Sequence, residues 1–458
     1  MNQPAVTAVE ANSNHHQLRA HVPTIVMAVA WMLIICTFNM PDRVDGATVL
    51  DPVALLKLGS RVASIAILTM MLWWNWDSVR GRLVIQSMLP IGIFAAWGLL
   101  SVLWSPLTGV SLGQVGSFIV LLLLAANIAL AWRSDACTSR VFMHLSLALF
   151  VFNCFLLLST ILFAHLGSVV RTQNSFIHAT MAGSNASMGF LVLLGARVIW
   201  GWRWSRVMLL PGLAVHGSLL IIAHSRTAIA ATLVATLLIY ILFVNRHIMW
   251  ACLLFVCTAA GLYLVGDPSF EMADSLVSSG EGFVERDEYA SVSSLSGRDE
   301  MWDEIWRSFL QSPWIGHGYF VSSETGELLV WFEVGNWTAH NILLQALVTT
   351  GIIGTLLLAW GYWRPARTML TTMSLNRQHA ALVLYCLSLC SWYFIWGVMN
   401  ESILGPLQPE GVVFYSMFGL GIGSSANQIA RLYSAPAVTQ PVHSYADQPR
   451  FPGGLEHA

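Results

Sequence analysis

The feature that most constrains the fold of this chain is a long series of apolar segments that carry almost no charge. About twelve runs of roughly 17 to 25 residues follow one another, and a run of that length can cross a bilayer as a helix. Hydrophobic residues make up 56% of the 458 residues and charged residues only 10%, a composition that excludes a soluble globular protein. The chain is therefore predicted to be all-α, a polytopic bundle of transmembrane helices. The predicted spans lie near residues 22–40, 54–74, 83–104, 115–132, 141–166, 186–200, 207–223, 227–243, 248–265, 340–362, 379–398 and 411–424.

The arginines orient these spans, because cytoplasmic loops retain positive charge close to the helix ends. With the N-terminus inside, the inner loops and span ends receive Arg80, Arg82, Arg133, Arg140, Arg197, Arg203, Arg206, Arg246, Arg364, Arg367 and Arg377. This orientation predicts a cytoplasmic N-terminal tail over residues 1–21 and a transmembrane domain over residues 22–434. One long extracytoplasmic loop covers residues 266–339, and residues 435–458, rich in Pro, Ser, Gln and Gly, form a disordered cytoplasmic tail.

The distribution of charge and cysteine excludes several classes of partner and cofactor. The formal net charge is −2, and the charges are sorted by side of the membrane, so no nucleic-acid partner is predicted. The seven cysteines fall in predicted spans or in an inner loop, which argues against disulfides. The sequence has no paired His-x-x-x-His motif, and we expect neither a metal nor another cofactor.

The long outer loop contains its own helix signal. Ser296 followed by Asp299 fits a capping box, and the predicted helix runs from Ser296 to about Leu310. Its apolar residues recur at helical spacing, which predicts an amphipathic helix lying on the membrane surface or on the outer face of the protein. The apolar stripe consists of Trp302, Ile305, Trp306 and Phe309.

Three short motifs follow one another on the predicted outer side. They are Ser225-Arg226-Thr227, then Ser296-Gly297-Arg298 with Trp302, Gly316 and Gly318, and finally His340-Asn341 with Gly351 and Gly354. In this order, over about residues 210–360, the chain resembles the O-antigen ligase and polysaccharide polymerase family of integral membrane glycosyltransferases. The segment from Leu100 to Pro106, which contains Trp104, is similar to the exopolysaccharide polymerase branch of that family.

The resemblance implies transfer of a glycan from an undecaprenyl-diphosphate-linked oligosaccharide donor to an acceptor hydroxyl. The diphosphate would suit arginine, whose planar guanidinium makes bidentate contacts with phosphate oxygens. Arg226, Arg298 and Arg171 are the candidate diphosphate-binding residues, with snorkelling to the membrane interface as the alternative for Arg226. Lys57 and Arg61 share one face of the second span, where snorkelling is the favoured interpretation and a further diphosphate contact the alternative.

His340 is the candidate catalytic base. It lies where the long loop meets a membrane helix, and the dipole at a helix N-terminus favours the neutral imidazole, which can accept a proton. An inverting, metal-independent displacement is the simplest mechanism, with Asn341 and Ser225 as supporting residues. The alternative is a histidine that only caps the helix. Gly351 and Gly354 are predicted to allow close helix packing.

The sequence leaves more than one acceptor and more than one class of protein open. A polymerase would pass the glycan to another lipid-linked glycan and a ligase to lipid A-core, and the Trp104 segment favours the polymerase. A polysaccharide transporter or flippase is the alternative from another class, although such a protein would carry charge near the membrane midplane. The resemblance also implies a bacterial inner-membrane protein with a periplasmic active site. The oligomeric state stays open.

Overall fold

The described part of the chain is almost entirely helical. The computed structural model describes residues 23–36, 52–76, 78–132, 135–163, 179–223, 225–244, 298–330, 333–401 and 403–434. Among them, eight helices are long and apolar enough to cross a membrane, and two shorter apolar helices accompany them. The predicted all-α, polytopic fold is confirmed. The predicted span at 248–265, both tails and residues 266–297 of the outer loop lie outside the described residues.

The helices follow the predicted apolar runs. Their bounds are α1 Pro23–Ile35, α2 Pro52–Trp74, α3 Ser78–Leu100, α4 Thr108–Ala131, α5 Asp135–Phe163, α6 Ala179–Gly195, α7 Arg203–Ile222, α8 Arg226–Phe243, α9 Arg298–Gln311, α10 Ile342–Thr372, α11 Arg377–Gly397 and α12 Pro409–Ser434. Strands β1 (Leu328–Val330) and β2 (Glu333–Gly335) form one antiparallel pair, with Leu329 opposite Val334.

Small residues allow a close contact between the backbones of α4 and α12. A Cβ atom placed on Gly419 would lie 2.4 Å from the carbonyl oxygen of Ala125, and one on Gly423 would lie 2.5 Å from that of Ala129. These two glycines, one helical turn apart, let the backbones approach as membrane helices do at small-residue interfaces. Helix α12 is thereby held in the centre of the bundle, where Val412, Val413 and Tyr415 are fully buried.

The outer elements have a hydrophobic core of their own. It consists of Met301, Ile305, Phe309, Val330, Ala339 and Val348. The amphipathic helix predicted in the loop is present as α9, and Ile305 and Phe309 of its stripe face this core while Trp306 is 47% exposed. The helix therefore packs on the protein, against the start of α10. Ser296 and the side chain of Asp299 lie outside the described part, so the predicted capping box stays a prediction.

Helix α10 is broken at Gly351, whose backbone is in a conformation that L residues rarely adopt (φ 67°, ψ −175°). The turn after α9 inserts into the break: the N–H groups of Ile352 and Ile353 donate to the carbonyls of Pro313 and Trp314. Carbonyl groups that the break leaves without a helical partner also accept hydrogen bonds, because irregular backbone in a membrane protein needs hydrogen-bond partners within the protein. The donors to Val348, Thr349 and Thr350 are His317 N, Gly318 N and Trp97 Nε1, at 3.0 to 3.1 Å.

The break shortens the reach of α10. Residues 373–376 join the end of α10 to the start of α11. At the opposite ends of these two helices, Asn341 before α10 bonds to Val398 just beyond α11. The 31-residue helix therefore spans no more than the 21-residue one. From Gly351 to Thr372 alone, about 22 residues give roughly 33 Å, enough to cross a bilayer. The segment from Ile342 to Thr350 must then turn aside, along the outer surface.

Candidate active site

His340 lies immediately before the N-cap of α10, in the left-handed backbone region (φ 44°). That conformation costs a non-glycine residue about 1 kcal/mol or more. Its Nδ1 atom lies 3.5 Å from Oε2 of Glu401, and the side chains are 37% and 10% exposed. Neither atom has a hydrogen-bond partner among the described residues, so the pair is within ion-pair distance without hydrogen-bond geometry. The predicted position of His340 at a helix start is confirmed by the bounds of α10.

Asn341 caps α10 and fastens it to the end of α11. Its side-chain oxygen accepts hydrogen bonds from the N–H groups of Leu343 and Leu344, both at 3.0 Å. Its amide nitrogen donates to the carbonyl of Val398 at 3.3 Å. Asparagine is a preferred N-cap residue because its oxygen satisfies helix N–H groups that have no other partner. The contact to Val398 brings the loop that contains Glu401 beside His340.

Arg298, the first residue of α9, reaches the same loop from another side. It is half-buried, and its Nη1 atom lies 2.9 Å from the Sδ atom of Met399. Glu401 follows Met399 by two residues, so Arg298 and His340 contact one short loop, residues 398–401. The structure therefore brings together two residues that the sequence motifs separate by about forty positions, as their proposed shared site requires.

Hydrogen bonds from Tyr319 and within the loop also hold the loop that contains Glu401 in place. The hydroxyl group of Tyr319 donates to the carbonyl of Leu404, and the N–H of Leu404 donates to the carbonyl of Glu401 at 3.0 Å. Complete burial raises the pKa of Tyr319 well above its ordinary value, so the hydroxyl remains a donor at any physiological pH. The position of Glu401 is thus fixed through both ends of its loop.

Ser225 and Arg226 begin α8 at the outer end of the bundle. Ser225 is buried, and a Cβ atom on Gly183 of α6 would lie 2.7 Å from it. The side chain of Ser225 makes no capping hydrogen bond to α8. Helix α8 packs along α11, whose last turn leads to the loop at residues 398–401. The side chain of Arg226 lies outside the described part of the structure, so its role stays a prediction.

The remaining predicted cations are farther from this group or outside the described residues. Arg171 lies outside the described residues. Arg61 donates to the carbonyl of Gly113 on α4 at 3.5 Å, and Lys57 lies one turn before it on α2. This contact joins Arg61 to a neighbouring helix, and the choice between snorkelling and a diphosphate contact for Lys57 and Arg61 stays a prediction.

The turn after α9 explains the two glycines of the middle motif. Gly316 and Gly318 have positive φ angles, 68° and 111°, and a Cβ atom on Gly316 would lie 2.4 Å from the backbone of Thr349. The segment that contains Trp104 holds the other side of this turn. Ser101 Oγ accepts from the N–H of Tyr319 at 2.9 Å, and Ser111 Oγ donates to its carbonyl at 2.8 Å.

Glu401 is the site residue that sequence reasoning missed. Two other carboxylates of the outer segment, Glu300 and Glu333, are exposed. One signal was available: Glu401 is an acidic residue in the short segment between the predicted spans at 379–398 and 411–424, on the same predicted side as His340.

Part of the chain is similar to known proteins. Residues 213–359 match the family model described as O-antigen ligase. The O-antigen ligase of Pseudomonas aeruginosa is 30% identical over 181 residues, which cover 36% of this chain. The aligned part spans only 38% of the length of that relative. The region that matches the family model, residues 213–359, includes Arg226, Arg298 and His340 but ends before Glu401.

Proposed function

We propose that this chain, whose residues 213–359 match the family model described as O-antigen ligase, is a membrane glycosyltransferase. In this proposal it transfers a glycan from an undecaprenyl-diphosphate-linked donor to a sugar hydroxyl of lipid A-core. The observation that carries the proposal is the convergence of Arg298, His340 and Glu401 on one loop at the outer end of the bundle. A cation, a base and a carboxylate are the groups that displacement of a diphosphate by a hydroxyl requires.

Arg298 is proposed to bind the diphosphate of the donor. Its guanidinium contacts the thioether of Met399, in the loop that also contains Glu401, and a guanidinium suits a diphosphate because it makes bidentate contacts with phosphate oxygens. As the glycosidic bond breaks, negative charge grows on the diphosphate, and a fixed guanidinium stabilises that charge without a metal ion. Arg226 begins α8 at the same end of the bundle and is proposed as a second such residue, with Arg171 as a third.

His340 is proposed to accept the proton of the acceptor hydroxyl. The carboxylate of Glu401 beside Nδ1 favours the tautomer with the proton on Nδ1 and leaves the lone pair of Nε2 free. The acceptor oxygen then bonds to the anomeric carbon while the bond to the diphosphate breaks on the opposite face. The proton ends on Nε2, the electron pair leaves with the diphosphate, and the configuration at the anomeric carbon inverts.

The choice of acceptor rests on what the Trp104 segment does in the fold. This segment favoured a polymerase in the sequence, but Ser101 within it bonds the turn at Tyr319, and Trp104 packs on Trp97 with ring centroids 5.6 Å apart. Its residues are thus explained by support of the outer loop. With that argument for a polymerase removed, the named relative favours the ligase. The transporter alternative loses support because the charged residues of the site gather at the outer end.

A transfer assay with purified protein in detergent tests this function. The donor is a lipid-linked repeat unit, supplied either alone or together with lipid A-core. We expect glycosylated lipid A-core and release of undecaprenyl diphosphate only when both substrates are present. Elongation of the donor alone would identify a polymerase instead, and absence of transfer under both conditions would contradict an enzyme of this class.

We further propose that the site faces the periplasm of a bacterial inner membrane, with both tails in the cytoplasm. The arginine asymmetry supports this orientation. Single cysteines replacing Thr325 and Ser374, both exposed, test it in a cysteine-free background in intact cells. A membrane-impermeant thiol reagent should label Thr325→Cys and not Ser374→Cys. The reverse pattern would overturn the orientation.

A further inference from the structure

The backbone that presents His340 is clamped on the side of Ala339. The N–H of Ala339 donates to Oε1 of Gln345 at 2.6 Å, and its carbonyl accepts from Nε1 of Trp302 at 2.7 Å. Both backbone polar groups of Ala339, which belong to the two successive peptide units before His340, are therefore bonded to side chains. His340 follows in the left-handed region, and Asn341 ties the next residue to α10 and α11. The direction of the imidazole is fixed from both sides of the chain.

The two clamping side chains come from different elements. Gln345 lies one turn into α10 and is completely buried among apolar residues, and its Nε2 atom has no hydrogen-bond partner in the described part of the chain. A buried amide with one unmet donor is destabilising on its own account, which suggests a role beyond packing. Because Ala339 N–H needs an acceptor, the amide must turn its oxygen toward Ala339 and cannot turn its nitrogen there.

Trp302 connects this clamp to the proposed diphosphate site. It lies four residues after Arg298 on α9, so the two side chains lie on one face of the same helix. Residues Ile305 and Phe309 hold that helix on the core shared with α10. One rigid helix thus holds the guanidinium and, through Ala339, the backbone of His340.

We propose that Trp302 and Gln345 are positioning residues that hold His340 in its left-handed conformation and at a fixed distance from Arg298. The proposed function is the basis for their effect on the reaction. Neither residue touches the substrate in this proposal. Both act through the backbone of Ala339: Trp302 holds the peptide between Ala339 and His340, and Gln345 holds the peptide before it. Since a displacement of about 1 Å at a reacting group lowers the rate by about 100-fold, losing either bond should lower kcat.

Two variants remove the bonds and put apolar side chains in their place. Trp302→Phe removes the Nε1–H donor, and Gln345→Leu removes the acceptor for Ala339. We expect kcat to fall by about 10-fold to 100-fold in each, with the KM for the lipid-linked donor changed by less than about threefold. The double variant should fall little further than the single ones, because both bonds hold the backbone of one residue, Ala339.

Matched controls lie on the same helix. Trp306→Phe and Gln311→Leu change exposed residues and should keep the wild-type kcat. A kcat within about threefold of wild type in both Trp302→Phe and Gln345→Leu would overturn the proposal. So would a loss of kcat that appears only together with an equal loss of donor binding and of folded protein.

A second measurement does not depend on turnover. Diethyl pyrocarbonate modifies accessible imidazole nitrogens, and mass spectrometry of the peptide containing His340 gives the rate. We expect this rate to change at least about threefold in Trp302→Phe and Gln345→Leu and not in Trp306→Phe, since the ring loses its fixed direction. If the rate changes while the wild type transfers no glycan, the positioning stands and the proposed function fails. An unchanged rate overturns the positioning whatever the wild type does.

Discussion

His340 and His379 lie at opposite ends of the bundle, each beside an asparagine that caps a helix. Asn376 caps α11 as Asn341 caps α10. His379 follows its cap, is 2% exposed, and has both ring nitrogens bonded, Nδ1 to Ser424 Oγ at 2.6 Å and Nε2 to Thr372 Oγ1 at 2.8 Å. His340 precedes its cap, and its Nδ1 atom has no hydrogen bond. Both ring nitrogens of the histidine inside its helix are thus bonded within the fold, whereas Nδ1 of the histidine before its helix has no hydrogen-bond partner among the described residues, as the proposed role of His340 requires.

The same contrast holds for the polar groups around the two rings. At the inner end, the hydroxyl of Thr372 also donates to Ser425 Oγ at 3.1 Å, so the network closes on itself. At the end that contains His340, Glu401 is buried (8% exposed), and its Oε2 atom has no hydrogen-bond partner among the described residues. A buried polar network that is complete stabilises the fold, whereas an incomplete one is a cost that a functional site explains. Substitutions at the two ends should therefore separate activity from stability.

Removal of each imidazole gives the largest difference. His340→Ala should lower the rate of glycan transfer by between about 100-fold and 10,000-fold, as expected for loss of a general base. Its thermal midpoint should remain near that of the wild type, because few contacts are lost. His379→Leu should leave the transfer rate of the folded protein unchanged and lower the free energy of unfolding by about 1 to 3 kcal/mol.

Transfer rates and thermal unfolding in detergent, measured on the same preparations, check this pair. A His340→Ala protein that keeps the wild-type transfer rate would make His340 a residue of the helix start and nothing more. If His379→Leu lost transfer while staying equally stable, the distinction between the two ends would be lost.

The sequence predicts the helices of the bundle far better than their breaks. The span predicted at 340–362 extends to Thr372 in the structure, because Arg364 and Arg367 continue the helix where the prediction placed a loop. Long cationic side chains can reach the interface from within a helix. The sequence predicts that Gly351 allows close helix packing, but in the structure Gly351 breaks the helix, and its close neighbour is the backbone of Trp314 in the turn after α9. The break depends on a turn about forty residues earlier in the chain, for which no local pattern exists.

The sequence motifs predict some residues of the proposed site, and they do not predict the residues that lie outside the motifs. Arg298 and His340 were identified and lie beside the same loop, and Asn341 was identified as a supporting residue without its bond to Val398. Glu401 was missed because its approach to His340 depends on how α10, α11 and α12 pack. A sequence reveals which side of the membrane a loop lies on, but not which loops touch.

Replacement of arginines on α9 sharpens the comparison by charge. Arg298→Lys keeps the charge and loses the planar, bidentate geometry, so we expect about a 100-fold fall in kcat/KM for the lipid-linked donor. Arg307 lies on the same helix, with a 69% exposed side chain and a partner in Glu304 at 3.0 Å. Arg307→Lys should therefore remain within about twofold of wild type, since exposed ion pairs contribute little. Steady-state kinetics with the purified proteins measure both. Equal effects at the two positions would reduce Arg298 to a general surface charge.

Substitution of the carboxylate beside His340 should have the smallest effect. Glu401→Gln keeps the size of the side chain and an oxygen that can face Nδ1, but it removes the negative charge that stabilises the imidazolium formed when the base takes its proton. We expect kcat to fall by about tenfold, the equivalent of one charge-assisted contact, with an unchanged KM for the donor. Glu333→Gln, an exposed position on β2, is the matched control and should keep the wild-type kcat. If Glu401→Gln kept it as well, the 3.5 Å approach of the two side chains would be packing alone, and His340 would act without a partner.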